Sequence, residues 1–299
     1  MHVNTKKLIV VVGPTAVGKT AMAIELAKAF DTEILSADSR QFYQEMSIGT
    51  AKPDAAELAQ AKHHFIDSHS IAVDYSAGDF ERDALLCLDK IFKTKDVAIM
   101  VGGSGLFVRA VTEGLDNLPK VPAEVRARLN SIFEKEGIAP LQAKLKAVDP
   151  IYYAKVDLSN SQRVIRALEI YEATGQAFST FHAGAQGNRP FEVITIGLNM
   201  ERAKLYERIN RRVDIMMESG LLDEVKSLQA YSHKPALLTV GYAELFDYLA
   251  EKLTLAEAVD KIKQHSRQYA KRQITWFKKY GNTHWFEAND LAGILAFLA

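Results

Sequence analysis

The sequence has a single cysteine, Cys87, among 299 residues. One thiol cannot form a disulfide within the chain, which favours a reducing compartment. Cys87 lies in FERDALLCLDKIF, where apolar residues recur at helical spacing, and this predicts a small core residue rather than a nucleophile. No stretch approaches the roughly 18 apolar residues that a membrane-spanning helix needs. These absences predict a cytoplasmic protein with no membrane partner.

Net charge is also absent, because Lys+Arg and Asp+Glu are present at 37 each. No field of the whole protein therefore draws it to nucleic acid, and any such affinity must come from local clusters of charge. Hydrophobic residues make up 48% of the chain, enough for a sizeable core. We expect an ordinary globular protein, with monomer as the default state.

Short apolar runs alternate with helical patterns along much of the chain. The predicted strands are LIVVV (8–12), EILSA (33–37), VAIMV (97–101) and EVITIGL (192–198), with helices at about 18–30, 79–93 and 105–113. Nearly continuous apolar strands, each followed by a helix, are typical of a parallel sheet covered on both faces. The predicted fold is α/β, with a P-loop-type parallel sheet.

The alternation stops between residues 119 and 189. This stretch opens with PKVPAEVRARL, contains the helical pattern QRVIRALEIYEATG and closes on the polar, Gly-rich AGAQGNRP. Helices without a strand of their own predict a mainly helical insertion at 119–189. Residues 1–118 and 190–299 then form the α/β core, with helices at its C-terminal end.

Residues 13–20 read GPTAVGKT and match the pattern G-x-x-x-x-G-K-[ST], between a predicted strand and a predicted helix. Gly13 and Gly18 let backbone amides converge on phosphate oxygens, and the helix N-terminus adds positive potential. Lys19 offsets phosphate charge, and the Thr20 hydroxyl can hold Mg²⁺. The loop predicts a ligand with a phosphate chain and Mg²⁺ as its cofactor.

A nucleoside-triphosphate hydrolase usually has an acid at the end of an apolar strand to hold Mg²⁺. VAIMV ends instead in Gly102, Gly103 and Ser104, and the nearest acid, Asp96, lies at the opposite end of the strand. A motor or switch NTPase is therefore disfavoured. A small-molecule kinase stays possible, because such enzymes often lack that acid.

Asp38 follows the second predicted strand, at the same sheet edge as GPTAVGKT. A carboxylate there can accept a proton from a nucleophile, or orient that nucleophile. The alternative is a cap on the following helix, a role that Ser36 and Ser39 could also fill. Spacing alone leaves both interpretations open.

Residues 261–280 contain seven Lys or Arg and no acid. At helical spacing Lys263, Arg267, Lys271 and Lys278 fall on one face, with aromatic residues on another. Charged faces usually mix signs, so this face predicts a basic ridge on an RNA backbone.

Three histidines, His63, His64 and His69, lie in KHHFIDSHS. No cysteine pair accompanies them and their spacing fits no standard zinc set. We therefore expect a channel mouth or a packed loop rather than a metal site.

The order of several motifs resembles that of the tRNA dimethylallyltransferases, the IPP transferase family, from about residue 8 to 286. The block ending in IGTAKP is the most specific to that family, and the phosphate loop is the least. The motifs are GPTAVGKT, SADSRQFYQEMSIGTAKP (36–53), HHFID (63–67), GGSGLF (102–107), QRVIRALE (162–169), RRVDIMMESGLLDEV (211–225), VGY (240–242) and KRQITWF (271–277).

The resemblance implies transfer of the dimethylallyl group from dimethylallyl diphosphate to N6 of the tRNA adenosine just 3′ of the anticodon. The phosphate loop would hold a prenyl diphosphate, and alkylation at carbon needs no hydrolase acid. A base stacked in the anticodon loop must be flipped to reach a sheet-edge carboxylate. Dimethylallyl diphosphate and the tRNA anticodon stem-loop are the implied partners.

The resemblance also assigns residues to the catalytic and diphosphate sites. Asp38 would be the base, with Lys19 and Thr20 acting on the leaving diphosphate and Thr20 holding the metal. Arg212 would bind the diphosphate, although Arg211 beside it is an alternative. The full diphosphate set is Gly13, Pro14, Thr15, Ala16, Val17, Gly18, Lys19, Thr20 and Arg212.

A third set of residues would contact tRNA. Ser104 stands where many family members have threonine, and it keeps the hydroxyl. Lys271 and Arg272 join the set from the acid-free stretch 261–280. The tRNA set is Asp38, Ser39, Arg40, Gln41, Ser104, Arg126, Gln162, Arg163, Val164, Ile165, Arg166, Lys271 and Arg272.

Three alternative functions remain at this stage. A P-loop kinase would leave the insertion, the basic ridge and IGTAKP unexplained. A non-catalytic RNA-binding protein with a nucleotide switch would need a second magnesium ligand. An adenylate prenyltransferase shares the loop and the aspartate, but a free nucleotide needs no large basic surface.

Overall fold

The computed structural model describes residues 5–116, 118–181, 188–280 and 282–299. It divides into two compact units. The first, which we call the core unit, comprises Met1–Thr112 and Arg189–Ala299, and the second, the helical unit, comprises Glu113–Asn188. The Gly-rich end of the predicted insertion falls largely on residues 182–187, outside the described residues.

Six parallel strands form one sheet in the core unit, in the order β3-β2-β4-β1-β5-β6. β1 therefore lies between β4 and β5, and the carboxyl ends of all six strands meet at one edge. The strands are β1 (Lys7–Val12), β2 (Ile34–Ser36), β3 (His63–His64), β4 (Val97–Val101), β5 (Glu192–Asn199) and β6 (His284–Glu287).

The four predicted strands are confirmed, as is the α/β class. The sequence analysis missed β3 and β6 because these strands have two and four residues and are only partly buried. Such short strands carry too little periodicity to stand out from loop sequence.

Helices cover both faces of the sheet, and four further helices make up the helical unit. The helices are α1 (Lys19–Ala29), α2 (Ala55–Leu58), α3 (Ala77–Ile91), α4 (Gly105–Thr112), α5 (Ala123–Glu136), α6 (Ala139–Val148), α7 (Pro150–Tyr153), α8 (Ser161–Thr174), α9 (Arg202–Glu218), α10 (Leu221–Ser227), α11 (Tyr242–Leu249), α12 (Leu255–Lys279) and α13 (Leu291–Leu298), with 3₁₀ turns at Phe178–Phe181 and Gln229–Tyr231.

β1 is apolar without interruption because helices cover both faces of the sheet. Ile9 and Val11 pack on one face against α1, while Leu8, Val10 and Val12 pack on the other against α3. Successive strand residues point to opposite faces, so a strand covered on both must be apolar at every position. The central strand thereby fixes the loop that follows it at the carboxyl edge of the sheet.

The longest described helix, α12, has 25 residues and begins at a capping box formed by Thr254 and Glu257. Its buried positions include Ala270 and Phe277, which contact the sheet cores, whereas Lys271 is exposed. The helix thus lies on the core unit by one face. Within the described ranges no helix, α12 included, is both long and apolar enough to cross a lipid bilayer.

The helical unit has a hydrophobic core of its own, formed by α5, α6, α8 and the 3₁₀ turn at Phe178–Phe181. Leu129, Leu145, Leu168 and Phe178 are among its buried members. The carboxylate of Asp149, almost fully buried, accepts backbone N–H bonds from Tyr152 at 3.0 Å and from Ser179 at 2.7 Å. It therefore ties α7 to the 3₁₀ turn.

Candidate functional site

The phosphate loop, residues 13–18, connects β1 to α1 at the carboxyl edge of the sheet. Gly13 and Gly18 have φ of 145° and 110°, which favour glycine. A Cβ at Gly13 would lie 2.7 Å from the backbone oxygen of Leu198, so the close approach to β5 also requires glycine. The two glycines of the motif therefore permit the loop conformation, in which Ala16 also has a positive φ, of 64°.

Lys19, the first residue of α1, lies inside the loop, where its Nζ donates to the Pro14 carbonyl at 2.8 Å. Burial lowers the pKa of the Lys19 ammonium to about 7; nearby Arg212 lowers it further, while Asp38 opposes the shift. A bound anion would favour the charged form and raise this pKa. The site is therefore electrostatically prepared for a multiply charged anion.

Arg212, on α9, reaches the loop from the opposite side, and its Nη1 donates to Thr15 Oγ1 at 3.3 Å. Burial lowers the pKa of this guanidinium, and the Asp38 charge opposes that effect. Arg211 also lines the same cavity but is exposed. The geometry favours Arg212 over Arg211 as the arginine that meets the phosphate loop.

Asp38 begins a tight turn, residues 38–41, directly after β2. Its Oδ1 accepts backbone N–H bonds from Arg40 at 2.9 Å and from Gln41 at 3.4 Å. The segment that follows is a turn and not a helix, so the alternative of a helix cap is replaced by a local turn bond. Asp38 also lines both cavities described below, so the turn bonds do not withdraw the carboxylate from the site.

The turn after β4 lies beside the Asp38 turn. Ser104 Oγ accepts the backbone N–H of Ser39 at 3.0 Å and donates to Ser39 Oγ at 3.1 Å. Behind it, the carboxamide of Gln273 on α12 contacts both Thr15 and Gly103. Gln273 was not predicted from the sequence, although it lies in KRQITWF, one of the motifs that carry the family resemblance.

A second loop, residues 47–51, faces the phosphate loop. Glu224 on α10 holds it, because the carboxylate accepts three backbone N–H bonds at 2.7–3.0 Å, from Ser47, Ile48 and Gly49. The Tyr242 hydroxyl donates to the same carboxylate at 2.6 Å. Burial raises the pKa of Tyr242, and the Glu224 charge adds to that effect. Sequence reasoning also missed this clamp, which joins residues 175 or more apart.

Gln41 connects the 47–51 loop with the Asp38 turn. Its Nε2 donates to the carbonyls of Thr50 and Ala51, each at 3.2 Å, and its Oε1 accepts from Ser36 Oγ at 3.0 Å. The Gln41 amide thus holds the wall of the larger cavity, which the side chain also lines, and its contact with tRNA stays a prediction.

Two cavities meet at these loops, with volumes of about 520 Å³ and 260 Å³. The larger contains Lys19, Thr20 and the α9 arginines, and the smaller contains apolar side chains such as Val213, Met216 and Ile262. Six residues line both: Thr15, Asp38, Thr50, Ala51, Arg212 and Tyr269. A cationic cavity and a more apolar one thus share a wall that carries the aspartate.

Each of the three histidines has a different hydrogen-bond partner. His63 lines the larger cavity, with Nδ1 2.8 Å from the Ala61 carbonyl, and burial lowers its pKa. His64 Nε2 lies 2.6 Å from Glu33, and His69 Nδ1 lies 2.9 Å from Ser68. Within the described part of the chain, no group of three or more His, Cys, Asp or Glu side chains could hold a metal ion.

α12 carries the basic residues predicted from the sequence, but two of them have polar partners on α9. Lys263 pairs with Asp214 of α9 at 2.6 Å, and Arg267 donates to Asn210 of α9 at 2.6 Å. Both side chains therefore have polar partners on another helix, which the sequence of α12 alone does not reveal, and their contact with RNA stays a prediction. The exposed basic side chains are Lys261, Lys271, Arg272, Lys278 and Lys279, which we call the basic ridge from here on.

The helical unit holds the other predicted tRNA residues. Buried Glu169 accepts from Arg126 at 3.0 Å and pairs with Arg166, and Arg126 also donates to Gln162 at 2.7 Å. Arg163 is exposed on the first turn of α8. One buried carboxylate therefore orients two arginines of the predicted set.

Val164 and Ile165 correct that set. Both side chains are 0% exposed and pack in the core of the helical unit. The α8 helix turns them inward, since residues one and two positions from Arg163 point to another face. Their side chains therefore do not reach a ligand.

A glycine-rich loop at the carboxyl edge of a helix-covered parallel sheet, with a cationic cavity over it, is typical of phosphate-binding α/β proteins. The profile described as IPP transferase matches residues 41–280. The chain therefore belongs to the IPP transferase family, which confirms the resemblance in the sequence.

The relatives cover nearly the whole chain. A tRNA dimethylallyltransferase from Christiangramia forsetii is 51% identical over 283 residues, 95% of this chain and 94% of that protein. One from Cytophaga hutchinsonii is 47% identical over 298 residues, 100% and 98% of the two chains.

Solved structures agree with this result. A tRNA isopentenylpyrophosphate transferase from Bacillus halodurans is 38% identical with a TM-score of 0.73, covering 98% of this chain and 95% of that one. A eukaryotic dimethylallyltransferase acting on tRNA is 27% identical with a TM-score of 0.78, covering 96% and 75%.

Proposed function

We propose that this protein is a tRNA dimethylallyltransferase. It transfers the dimethylallyl group from dimethylallyl diphosphate to N6 of the adenosine 3′-adjacent to the anticodon. The observation that carries this proposal is the shared wall of the two cavities, where Asp38 lies between the cationic cavity and the more apolar one. The names of relatives that match over nearly the full length support the substrate assignment.

In this reaction the N6–C1 bond forms, the C1–O bond of the prenyl diphosphate breaks, and one proton leaves N6. The adenine amine is a weak nucleophile because its lone pair is delocalised into the ring. Asp38 takes the proton as the C–N bond forms, which lowers the barrier. Asp38 is therefore the proposed catalytic base.

The leaving diphosphate gains negative charge as C1 departs. Lys19, Arg212 and the amides of the phosphate loop would face this charge, because both side chains line the larger cavity and Arg212 contacts the loop at Thr15. Burial lowers the pKa of Lys19 to about 7, and a bound diphosphate would raise this pKa and favour the ammonium form. The proposed function of the loop is to hold a leaving group rather than a group to be transferred.

Mg²⁺ is the proposed cofactor. Thr20 lines the cationic cavity together with Asp38, and hydroxyl and carboxylate oxygens are hard ligands of the kind that Mg²⁺ accepts alongside phosphate oxygens and water. Thr20 would hold the ion, which supplies charge neutralisation on the diphosphate. The donor chemistry at the loop therefore fits the ion.

tRNA is the proposed second substrate, and each unit offers a basic surface to it. In the core unit the basic ridge of α12 is exposed, and Ser39 and Arg40 line the smaller cavity. In the helical unit Arg126, Arg163 and Arg166 present guanidinium groups suited to phosphates. The predicted cytoplasmic location and monomeric state stay predictions.

The function is tested with the purified protein, Mg²⁺, dimethylallyl diphosphate and an unmodified tRNA transcript. We expect a prenyl mass gain on one adenosine beside the anticodon, detected by nucleoside mass spectrometry, and none when AMP replaces tRNA. Prenylation of AMP would instead indicate an adenylate prenyltransferase. Phosphoryl transfer from ATP to a small acceptor, without prenylation, would support the kinase alternative.

A further inference from the structure

Gln273 is a buried polar residue in the middle of α12, with 5% of its surface exposed. Its carboxamide makes two hydrogen bonds inside the core unit. The Oε1 atom accepts the backbone N–H of Thr15 at 2.8 Å, and Nε2 donates to the carbonyl of Gly103 at 3.0 Å. One side chain thus joins the phosphate loop to the turn after β4.

The connection continues to the catalytic aspartate. Gly103 precedes Ser104, whose hydroxyl holds the backbone and side chain of Ser39, the residue after Asp38. A chain of hydrogen bonds therefore runs from the Thr15 amide through Gln273 and the 103–104 turn to the Asp38 turn. One end of this link is the phosphate loop, which would hold the leaving group, and the other is the turn of Asp38, the proposed base in the same reaction.

Glutamine suits this position because its carboxamide has an acceptor at one end and a donor at the other. Glutamate would keep the acceptor for Thr15 but lose the donor for Gly103. Space is also restricted, because a Cβ at Gly103 would lie 2.2 Å from Gln273 Nε2. The glycine and the glutamine therefore depend on each other.

We infer that Gln273 is a positioning residue that holds the phosphate loop at a fixed distance from the Asp38 turn. Gln273 lines the larger cavity, but its carboxamide is bonded to the protein at both ends, so its role is to fix the spacing between the site of the leaving group and the base. This inference rests on the proposed prenyl transfer. A misplacement of about 1 Å between reacting groups can slow a reaction by about a hundredfold.

The test uses Gln273→Ala, Gly103→Ala and the double variant in the full chain. Gly103→Ala leaves Gln273 in the sequence but displaces its amide, so it should reproduce the effect of Gln273→Ala. The two changes break one link, so the double variant should be little slower than either single variant. Gln229→Ala, at an exposed glutamine of the same unit, is the control.

The first readout is steady-state prenyl transfer. We expect kcat to fall about tenfold to a hundredfold in both single variants while KM for tRNA is unchanged. The fraction of protein that binds pyrophosphate, from titration calorimetry, should stay at the wild-type value. A loss of binding stoichiometry in parallel with kcat would show misfolding and overturn the inference, as would an unchanged kcat.

The second readout does not need turnover. Hydrogen exchange measured by mass spectrometry should be faster in peptides containing Thr15 in Gln273→Ala than in wild type, since the Thr15 N–H loses its acceptor. Unchanged exchange would overturn the inference, even if the wild-type protein failed to prenylate tRNA. A wild type that shows no prenylation but the expected exchange difference would reject the proposed function and leave the loop link supported.

Discussion

Asp38 has two roles that a sequence cannot separate. Its Oδ1 closes a turn on Arg40 and Gln41, and its carboxylate lies on the wall shared by both cavities. A short polar side chain that starts a turn is common, and only the position of the turn at the carboxyl edge makes this one chemically useful. The proposed role of Asp38 as base therefore depends on where the turn lies.

Asp38→Asn tests that role with the turn preserved, because an amide oxygen still accepts the two backbone N–H bonds. We expect the single-turnover rate of prenyl transfer to fall about 10²–10⁴-fold, the range typical of a lost general base. Binding of tRNA and pyrophosphate should not change. Asp38→Ala, which also removes the turn bonds, is the matched comparison; equal loss of binding in both variants would favour a purely structural aspartate.

The role of Cys87, unlike that of Asp38, could be predicted from the surrounding sequence. Burial raises the pKa of its thiol to about 11, and the nearby Glu33 charge adds to the shift. A thiol so far from ionisation is a poor nucleophile at neutral pH. The prediction of a small structural residue agrees with this environment.

At the scale of elements, α12 is the helix that sequence reasoning described only in part. Its acid-free stretch is basic on the exposed face, but Lys263 and Arg267 turn toward α9, which supplies Asp214 and Asn210. Helical periodicity gives the angle between residues, not the position of the neighbouring helix. The width of an exposed face is therefore a tertiary property.

Lys271 and Lys263 make a matched pair for testing the basic ridge. Lys271→Ala should weaken tRNA binding and reduce the slope of log K against log salt by about one phosphate contact. Lys263→Ala should leave the slope unchanged and cost about 0–1 kcal/mol of stability, as for a surface ion pair. Filter binding across a salt series measures the slope, and equal slopes for the two variants would contradict the assignment.

At the scale of the whole molecule, the two units carry different parts of the proposed function. The phosphate loop, Asp38 and the basic ridge belong to the core unit, whereas Arg126, Arg163 and Arg166 belong to the helical unit. Each unit has its own hydrophobic core. Changes on the surface of one unit should therefore leave the binding site in the other intact.

Arg163→Ala tests this separation. Arg163 is exposed, so its loss leaves the buried Glu169 with both of its arginine partners. We expect tRNA affinity to fall by about 1 kcal/mol or more, as for a lost charge-assisted contact, with pyrophosphate affinity and the unfolding midpoint unchanged. Calorimetry with pyrophosphate and a binding assay with tRNA distinguish this result from a general loss of structure.

Arg126→Ala is the informative contrast in the same unit. It removes one partner from a carboxylate that is almost fully buried, which should cost stability as well as the proposed tRNA contact. A fall in the unfolding midpoint should therefore accompany its effect on binding. Identical behaviour of the two variants would contradict the distinction between an exposed and a buried-pair arginine.

The sequence by itself determined the four predicted strands of the sheet and the phosphate loop. β1 is apolar at every position because both faces of the sheet are covered, and Gly13 and Gly18 fix the loop because their backbone angles favour glycine. These features depend on residues that are close in sequence, so a window of ten or twenty residues is enough to predict them.

Only the tertiary structure decided which polar groups meet. Gln273 reaches Thr15 across 258 positions, and Glu224 holds a loop more than 170 residues away. It also decided that Val164 and Ile165 face a core and that Lys263 has an acidic neighbour. Hydrogen bonds and ion pairs act over a few ångströms in space, whereas periodicity in the sequence reports one element at a time.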